Sequence, residues 1–335
     1  MKHELSELLS RTARLGGLIA TVMMLSWGAS AHAQTGAFPN KPVHIIVPYA
    51  PGGGNDILAR LIGERLTTMW GQAVVVDNRA GAGATLGTQL VAKAAPDGYT
   101  LLLSSIASHA IGPNLYKRPG YDPIKDFAAI TMIAKSPIIL VVNAQLPIAN
   151  VKEFVAYVKA RPGALSYGSA GNGSVTHLAG EVFKIQTGID MVHVPYSGGA
   201  PSLLAAQAGD VIGVFEPSTG ALTAAAGGRV KALAVARSER LPDHPEIPTF
   251  AEAGFPEYTM ATWYSLHAPA GTPRPIIDKI ARDVATVLAT ADMKERVRKL
   301  GNDPDAGTPE QLDAFVKSEL ARYEDVLRKS GAQID

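Results

Sequence analysis

The sequence predicts an α/β fold with a largely parallel sheet covered by helices. Two observations carry this: short β-rich apolar runs recur along the chain, and amphipathic stretches at helical spacing separate several of them. A third observation bounds the domain pattern. From Pro275 onward the strands give way to a helix-rich tail, which suggests that the chain returns to cover the part of the fold built first.

After a Pro-containing lead-in at Phe38 to Pro42, the expected strands are VHIIVPY (43–49), AVVVD (73–77), YTLLLS (99–104), PIILVVN (137–143), ALSYGS (164–169), MVHVPY (191–196), VIGVFE (211–216) and KALAVA (231–236). Ile57, Leu58, Leu61, Ile62 and Leu66 form one helical stripe, and Val151, Phe154, Val155 and Val158 form another. The segment WYSLHAPAGTPRP (263–275) marks the point after which the chain changes character. Beyond it, helices are expected near 275–289, 292–300 and 309–329, with Pro275 at a first helical position and Thr308 capping before Pro309.

The N-terminus carries Lys2, Arg11 and Arg14, then an apolar run from Leu15 to about Trp27, then Ala31-His32-Ala33. This is the pattern of a cleaved export signal covering residues 1–33, with an apolar run short for a membrane span. Cleavage removes three of the 31 basic and two of the 30 acidic residues, leaving 28 of each on a neutral, soluble, periplasmic chain. Such a chain lacks the basic footprint of a nucleic-acid binder. With no cysteine it has neither a disulfide framework nor a thiolate nucleophile.

Three glycine-containing loops run into helical patterns: Pro51 to Asp56 (PGGGND), Arg79 to Gly87 (RAGAGATLG) and Ser169 to Ser174 (SAGNGS). A glycine-lined strand-to-helix turn exposes bare backbone and the unpaired N–H groups of a helix start, which favours an anion. In the first loop Gly52, Gly53 and Gly54 precede Asn55, and Gly53 is the glycine expected to admit the ligand. Asp56 is open to two readings, as a helix-start cap or as a ligand contact, and the cap is favoured because an acid beside an anion repels it. Ala170, Gly171, Asn172 and Gly173 lead to Ser174 as N-cap in the third loop, while Asn55 and Ser174 can donate without adding charge. The middle loop invites a dinucleotide reading but lacks the six-residue glycine spacing, and Asp97 falls in a turn rather than at a strand end. Helix–strand packing around small residues is the expectation there, and no cofactor is assigned.

The segments FPNKPVHIIVPYAPGGGNDILAR, VVVDNRAGAGATLGTQLVAKAAPDGYTLL, YDPIKDFAAIT, YGSAGNGSVTHLAGEVF, VPYSGGAPSLLAAQAGDV and HPEIPTFAEAGFPEY with WYSLHAPAGTP, in this order, resemble the extracytoplasmic solute receptors of tripartite tricarboxylate transporters, the Bug or TctC family. The resemblance implies a type II periplasmic binding protein fold, with two α/β lobes closing on a small organic acid. The lobes are expected at 34–136 plus 258–335 and at 137–257. It implies that loops Pro51–Asp56 and Ser169–Ser174 hold a ligand carboxylate through backbone groups and water. With less force it carries over Ser104, Ser108 and His109 after the third strand, and Tyr196, Ser197 and Gly198 in VPYSGG. Asn55 and Ala80 depart from the residues usual at those positions, and Asn55 bears on ligand contacts.

No enzymatic constellation appears: there is no His-Glu-x-x-His pair, no Gly-x-Ser-x-Gly elbow and no phosphate-binding Gly-x-x-x-x-Gly-Lys loop. His44 and His193 alternate with apolar neighbours and read as structural, while His109 and His177 follow loops near the cleft and are candidate contacts. The expected function is capture of a compact mono- or dicarboxylate and its delivery, by a monomer, to membrane permease subunits; a receptor reporting the ligand to a sensor needs the same cleft. The candidate loops contain no Lys or Arg, so a trianion would meet no paired cation unless Arg79 or Arg118 folds in. Tyr49, Tyr196 and Trp263 are candidates to cover ligand carbon.

Overall fold

The computed structural model describes residues 38–330, so the expected export signal lies outside the described residues. The chain divides at Asn40/Lys41, and every element below belongs to the second unit.

The sheet begins as predicted, with β1 (Val43–Val47), β2 (Val74–Asn78) and β3 (Thr100–Ser105) pairing in parallel in the order β2-β1-β3. Helix α1 (Gly54–Trp70) crosses from β1 to β2, burying Leu58, Leu61, Ile62 and Leu66 of the stripe read from the sequence, while Ile57 stays half-buried. Helix α2 (Thr85–Ala92) crosses from β2 to β3, and a short turn α3 (Gly112–Leu115) follows β3.

The sheet is then extended by two antiparallel strands that the sequence pattern concealed. Strand β4 runs from Phe127 to Asn143, far longer than the apolar run at its C-terminal end. Its N-terminal part, FAAITMIAKS, is interrupted by buried Thr131 and Ser136 and by exposed Lys135, so it does not read as one apolar run. Strand β9 (Ala261–Pro269), which was not among the expected strands and runs into the segment before the helical tail, lies between β3 and β4 at the centre of the sheet. The sheet is therefore mixed rather than largely parallel.

β4 changes partners midway. Phe127 to Pro137 pair with β9, whereas Ile138 to Asn143 pair with β7 (Gly213–Pro217) and β8 (Val230–Val235). Between these lie α4 (Val151–Lys159), β5 (Ser166–Ser169), α5 (Val175–Thr187), β6 (Val192–Pro195) and α6 (Gly199–Ala208), with α7 (Ser218–Ala226) after β7. The full order is β2-β1-β3-β9-β4-β7-β5-β6, a curled sheet with two parallel ends joined by antiparallel strands.

The tail forms α8 (Arg274–Ala289), α9 (Ala291–Lys299), a short strand β10 (Asp303–Pro304) against β4, and α10 (Pro309–Ser330). Pro275 occupies the first turn of α8, and Thr308 caps α10 reciprocally: Gln311 N donates to Thr308 Oγ1 at 3.2 Å and Thr308 N to Gln311 Oε1 at 2.8 Å. Leu312, Val316, Tyr323 and Leu327 of α10 join the large core built on Ile138, Leu140, Phe183, Phe215 and Tyr258. A second core of Ile139, Val141, Leu203 and Val214 covers the opposite face of the same strands, as the alternation of a two-sided sheet requires.

Candidate functional site

The loop after β1 leaves the sheet through Tyr49 and Pro51 and enters α1 at Gly54, with Gly53 as N-cap. No side chain caps this helix from position 53, so its first-turn N–H groups remain available. The loop is braced from within. Asp56, at the third helical position, accepts from Gly52 N at 2.9 Å and from Arg60 Nε at 3.0 Å. Burial acts against its charge, yet the bonds from Arg60 and Gly52 hold its carboxyl below the usual carboxylate range. The structure thus places Asp56 as a brace behind the loop.

The loop after β5 is stitched by its own side chains. Ser174, the N-cap of α5, accepts from His177 N at 3.2 Å and donates to Gly171 O at 2.6 Å; Ala170 N donates to Thr176 Oγ1 at 2.8 Å. Ser169 Oγ meets His193 Nε2 at 2.6 Å, and His193 stacks on His177 with ring centroids 3.9 Å apart. Burial, helped by the neighbouring His177, pushes His193 down to about 4, so both partners of the stack are held neutral at neutral pH. Gly173 N donates to His177 Nδ1 at 3.3 Å, so His177 supports the loop rather than lining the cleft.

These loops enclose two adjoining cavities. The inner one, about 20 Å³, is lined by Tyr49, Gly53, Gly54, Asn55, Ser105, Ala170, Ser174, Val175, Thr176, Gly199, Glu216, Pro217, Thr262 and Tyr264. Four helices begin at its wall: α1 at Gly54, α5 at Val175, α6 at Gly199, and α7, whose N-cap is Pro217. Their dipoles turn positive ends toward one space that contains no Lys or Arg in its lining. Asn55 Nδ2 and Glu216 Oε2 are buried there without a hydrogen-bond partner among the described residues, as are Ser105 Oγ and Tyr264 OH, whose neighbours Tyr49 and Ser136 stand near enough to interact but form no well-aligned bond. Buried polar groups are almost always paired, so four orphans around one cavity mark a place for a polar ligand group.

The outer cavity, about 310 Å³, shares Tyr49 and Ala170 with the inner one and adds Gly81 to Ala84, Tyr116, Gly171, Asn172, Pro195, Tyr196 and Ser197. At its mouth the two ends of the sheet touch. Tyr116 OH donates to Asn172 O at 2.9 Å, and Ala50 N donates to Ser197 O at 3.3 Å. Gly83 sits in the left-handed region (φ +57°), and a Cβ there would stand 2.3 Å from Asn172 O. Ala82 and Ala84 also hold positive φ, the kind of backbone strain that gathers at ligand clamps. The middle glycine loop, expected only to pack, thus also forms one lip of the cleft; its packing role rests on Gly87, where a Cβ would meet Arg79 O at 2.8 Å.

Of the residues expected from sequence, Tyr49, Gly53, Gly54, Asn55, Ala170, Gly171, Asn172, Ser174, Tyr196 and Ser197 line one cavity or both. Pro51, Gly52, Ser169, Gly173 and Gly198 belong to the surrounding loops without lining either. Ser104 faces the opposite side of the sheet, bonded to Ser265 Oγ at 2.7 Å and His267 Nδ1 at 2.8 Å. Its neighbour Ser105 reaches the cavity instead, because successive strand residues point to opposite faces. Ser108 Oγ bonds Ser105 N and O, and His109 is buried against His267 and Phe127, where burial depresses its basicity. Trp263 donates to Glu319 Oε2 at 3.2 Å on another surface, Arg79 lines a different surface depression, and Arg118 is exposed and lines neither cavity. Gly54, rather than Gly53, is the tight position: a Cβ on Gly54 would lie 3.1 Å from Tyr264 OH and 3.3 Å from Thr219 Cβ, whereas one on Gly53 would make only ordinary contacts.

Ser105, Thr262, Tyr264 and Glu216 are among the lining residues that sequence reasoning missed, as are Thr176 and Gly199 in the inner cavity and Gly81 to Ala84 and Tyr116 in the outer one. Thr262 and Tyr264 were hidden with the unrecognised strand β9, whereas Glu216 could have been noticed as an acid ending an otherwise apolar strand before a helix.

Comparison with known proteins supplies the wider setting. Residues 58–332 match the family described as tripartite tricarboxylate transporter family receptor. The chain is similar to protein BugT of Bordetella pertussis, 35% identical over 323 residues that cover 96% of this chain and 98% of BugT. Among solved structures it is similar to an R. palustris protein with adipate (36% identity, TM-score 0.85, covering 89% of this chain and all of that one). It is also similar to MatC from Rhodopseudomonas palustris with bound malate (35% identity, TM-score 0.81, covering 87% of this chain and all of MatC). The fold is that of the periplasmic binding proteins, and the proteins it resembles are solute-binding receptors. The chain belongs to the tripartite tricarboxylate transporter receptors, the Bug/TctC family.

Proposed function

We propose that this receptor captures a compact mono- or dicarboxylate, aliphatic or aromatic, after export to the periplasm, and as a monomer delivers it to the permease subunits of a tripartite transporter. One observation carries the ligand class: helix N-termini and unpartnered neutral donors converge on an inner cavity whose lining has no basic side chain. That cavity has room for a head group only, so one carboxylate seats there while the ligand's remaining carbon extends between Tyr49, Tyr116 and Tyr196 in the outer cavity. Charge-assisted hydrogen bonds contribute roughly 1.5–3 kcal/mol each, and micromolar binding needs about 8 kcal/mol, so three or four such bonds with some buried carbon suffice. A trianion would have to desolvate concentrated charge with no paired cation. The adipate and malate bound by two similar proteins support the same class.

Release requires the cleft to open, with residues 34–136 plus 258–335 as one lobe and 137–257 as the other. The partner change in β4 at Pro137/Ile138 offers the hinge. A thermal-shift screen of mono-, di- and tricarboxylates, followed by calorimetry and small-angle scattering, tests the reading. Adipate or another compact acid is expected to raise the melting temperature and to shrink the radius of gyration. Citrate binding far more tightly than every mono- and dicarboxylate would overturn the ligand class, and an unchanged radius at saturation would overturn the hinge.

A further inference from the structure

Glu216 is the one acid in the wall of the inner cavity. It is the penultimate residue of β7, is 3% exposed, and leaves Oε2 without a hydrogen-bond partner among the described residues. The side chain is wedged between two helix starts: a Cβ on Gly199 would lie 2.1 Å from Oε1, and one on Gly220 would lie 2.9 Å from it. Both glycines leave room for this side chain against the bare backbone of the helix starts. An ionised carboxylate held there would face the ligand's own carboxylate in a space with no basic side chain, and both charges would compete for the same helix dipoles.

We infer that Glu216 is protonated in the loaded receptor and donates a hydrogen bond from its acid O–H to the ligand carboxylate, so that capture of the anion is coupled to retention of one proton on the protein. The inference rests on the carboxylate reading above and adds to it a residue and a proton. Ser105, Tyr264 and Asn55 then act as the neutral donors beside it, and the four orphaned groups become one hydrogen-bonding set for a single head group. The alternative is an ionised Glu216 facing a ligand ammonium, which an amino acid supplies beside its own carboxylate, and the pH dependence of binding separates the two.

The surroundings favour the neutral acid. Burial pushes the Glu216 carboxyl up to about 8. The titratable groups facing it are Tyr49 from the end of β1 and Tyr264 from β9, both pushed well above their ordinary range by burial. From α6 and α7 it meets Gly199 and Gly220, and its register partner on β4 is Ile139, none of which titrates. In the nearby first turns, Asp56 of α1 is turned to Gly52 and Arg60, and His177 of α5 to Gly173 and His193. Glu216 is therefore the group that controls binding between pH 6.5 and 9.5, a window in which a simple dicarboxylate keeps a constant charge.

Titration calorimetry with adipate across that window, in two buffers of different ionisation enthalpy, tests the inference on the unmodified protein. Affinity should be level near pH 6.5 and fall toward tenfold per pH unit above about pH 8, with uptake of one proton on binding at the alkaline end. Glu216→Gln puts a group that does not titrate in its place, so its adipate affinity, whatever its value at pH 6.5, should stay level to pH 9.5; an alkaline fall that persisted in this variant would overturn the role of Glu216. Adipate binding that stays level to pH 9.5 without proton uptake would overturn the role of Glu216 while leaving the carboxylate reading intact. Tighter binding of L-aspartate with rising pH and none of adipate would assign Glu216 to an ammonium and overturn it as well. If no carboxylate in the screen bound at any pH, the ligand class itself would fall, and this inference with it.

Discussion

The two strand-to-helix loops that close the inner cavity share one sequence logic and differ in what they leave unpaired. The loop entering α5 spends its polar side chains on itself: Ser174, Thr176, Ser169 and His177 all bond within the loop or to the strand beside it. It behaves as a fixed wall whose contribution is backbone N–H groups at a helix start. The loop entering α1 is capped by a glycine, is braced only from behind by Asp56, and leaves Asn55 Nδ2 buried and unpartnered. One loop holds shape and the other presents donors. Similar glycine-rich turns can therefore have different energetic roles, and a side-chain cap is what distinguishes them.

Three substitutions sharpen that contrast. Gly54→Val should have the largest effect, because its side chain enters the inner cavity against Tyr264 and Thr219. Adipate affinity is expected to fall by at least about 100-fold, the equivalent of roughly 3 kcal/mol, with circular dichroism unchanged. Binding within a few-fold of normal would move the ligand elsewhere. Ser174→Ala removes the cap of α5 and the donor to Gly171 O, which should cost about 1 kcal/mol of stability and lower the melting temperature by about 2–3 °C. Affinity should drop less than for Gly54→Val, since the backbone donors stay in place; the two assays run on one sample separate wall from donor. Gly53→Ala is expected to be the mildest. A Cβ there lies 3.5 Å from its nearest neighbour, Ala200 N, so calorimetry should find affinity changed by no more than about threefold.

Much of this protein was legible in local pattern. The parallel strands at both ends of the sheet, the stripe of α1, the Ser174 cap, the helical tail and the two glycine loops follow from periodicity and capping chemistry within short windows, where each residue's neighbours along the chain set its conformation. The family was legible too, because its segments occur in order through the whole length. The first half of β4 and all of β9 were not, because antiparallel strands at the centre of a sheet are defined by partners far away, such as Ser104 with Ser265, 161 positions apart.

The same reason separates the expected site from the observed cavity lining. Sequence determined that a glycine-lined helix start would face a cleft; the tertiary structure decided that Gly54 is its tight point, because Tyr264 and Thr219 press on that residue. Sequence placed serines at the end of β3; the pleat and the neighbouring β9 decided that Ser105 faces the cavity while Ser104 is consumed by Ser265 and His267. Glu216 stood in plain view as an acid at the end of an apolar strand, and only its burial between α6 and α7 gives it a role. Burial and the pairing of polar atoms depend on which distant segments meet, and that is fixed when the chain closes on itself.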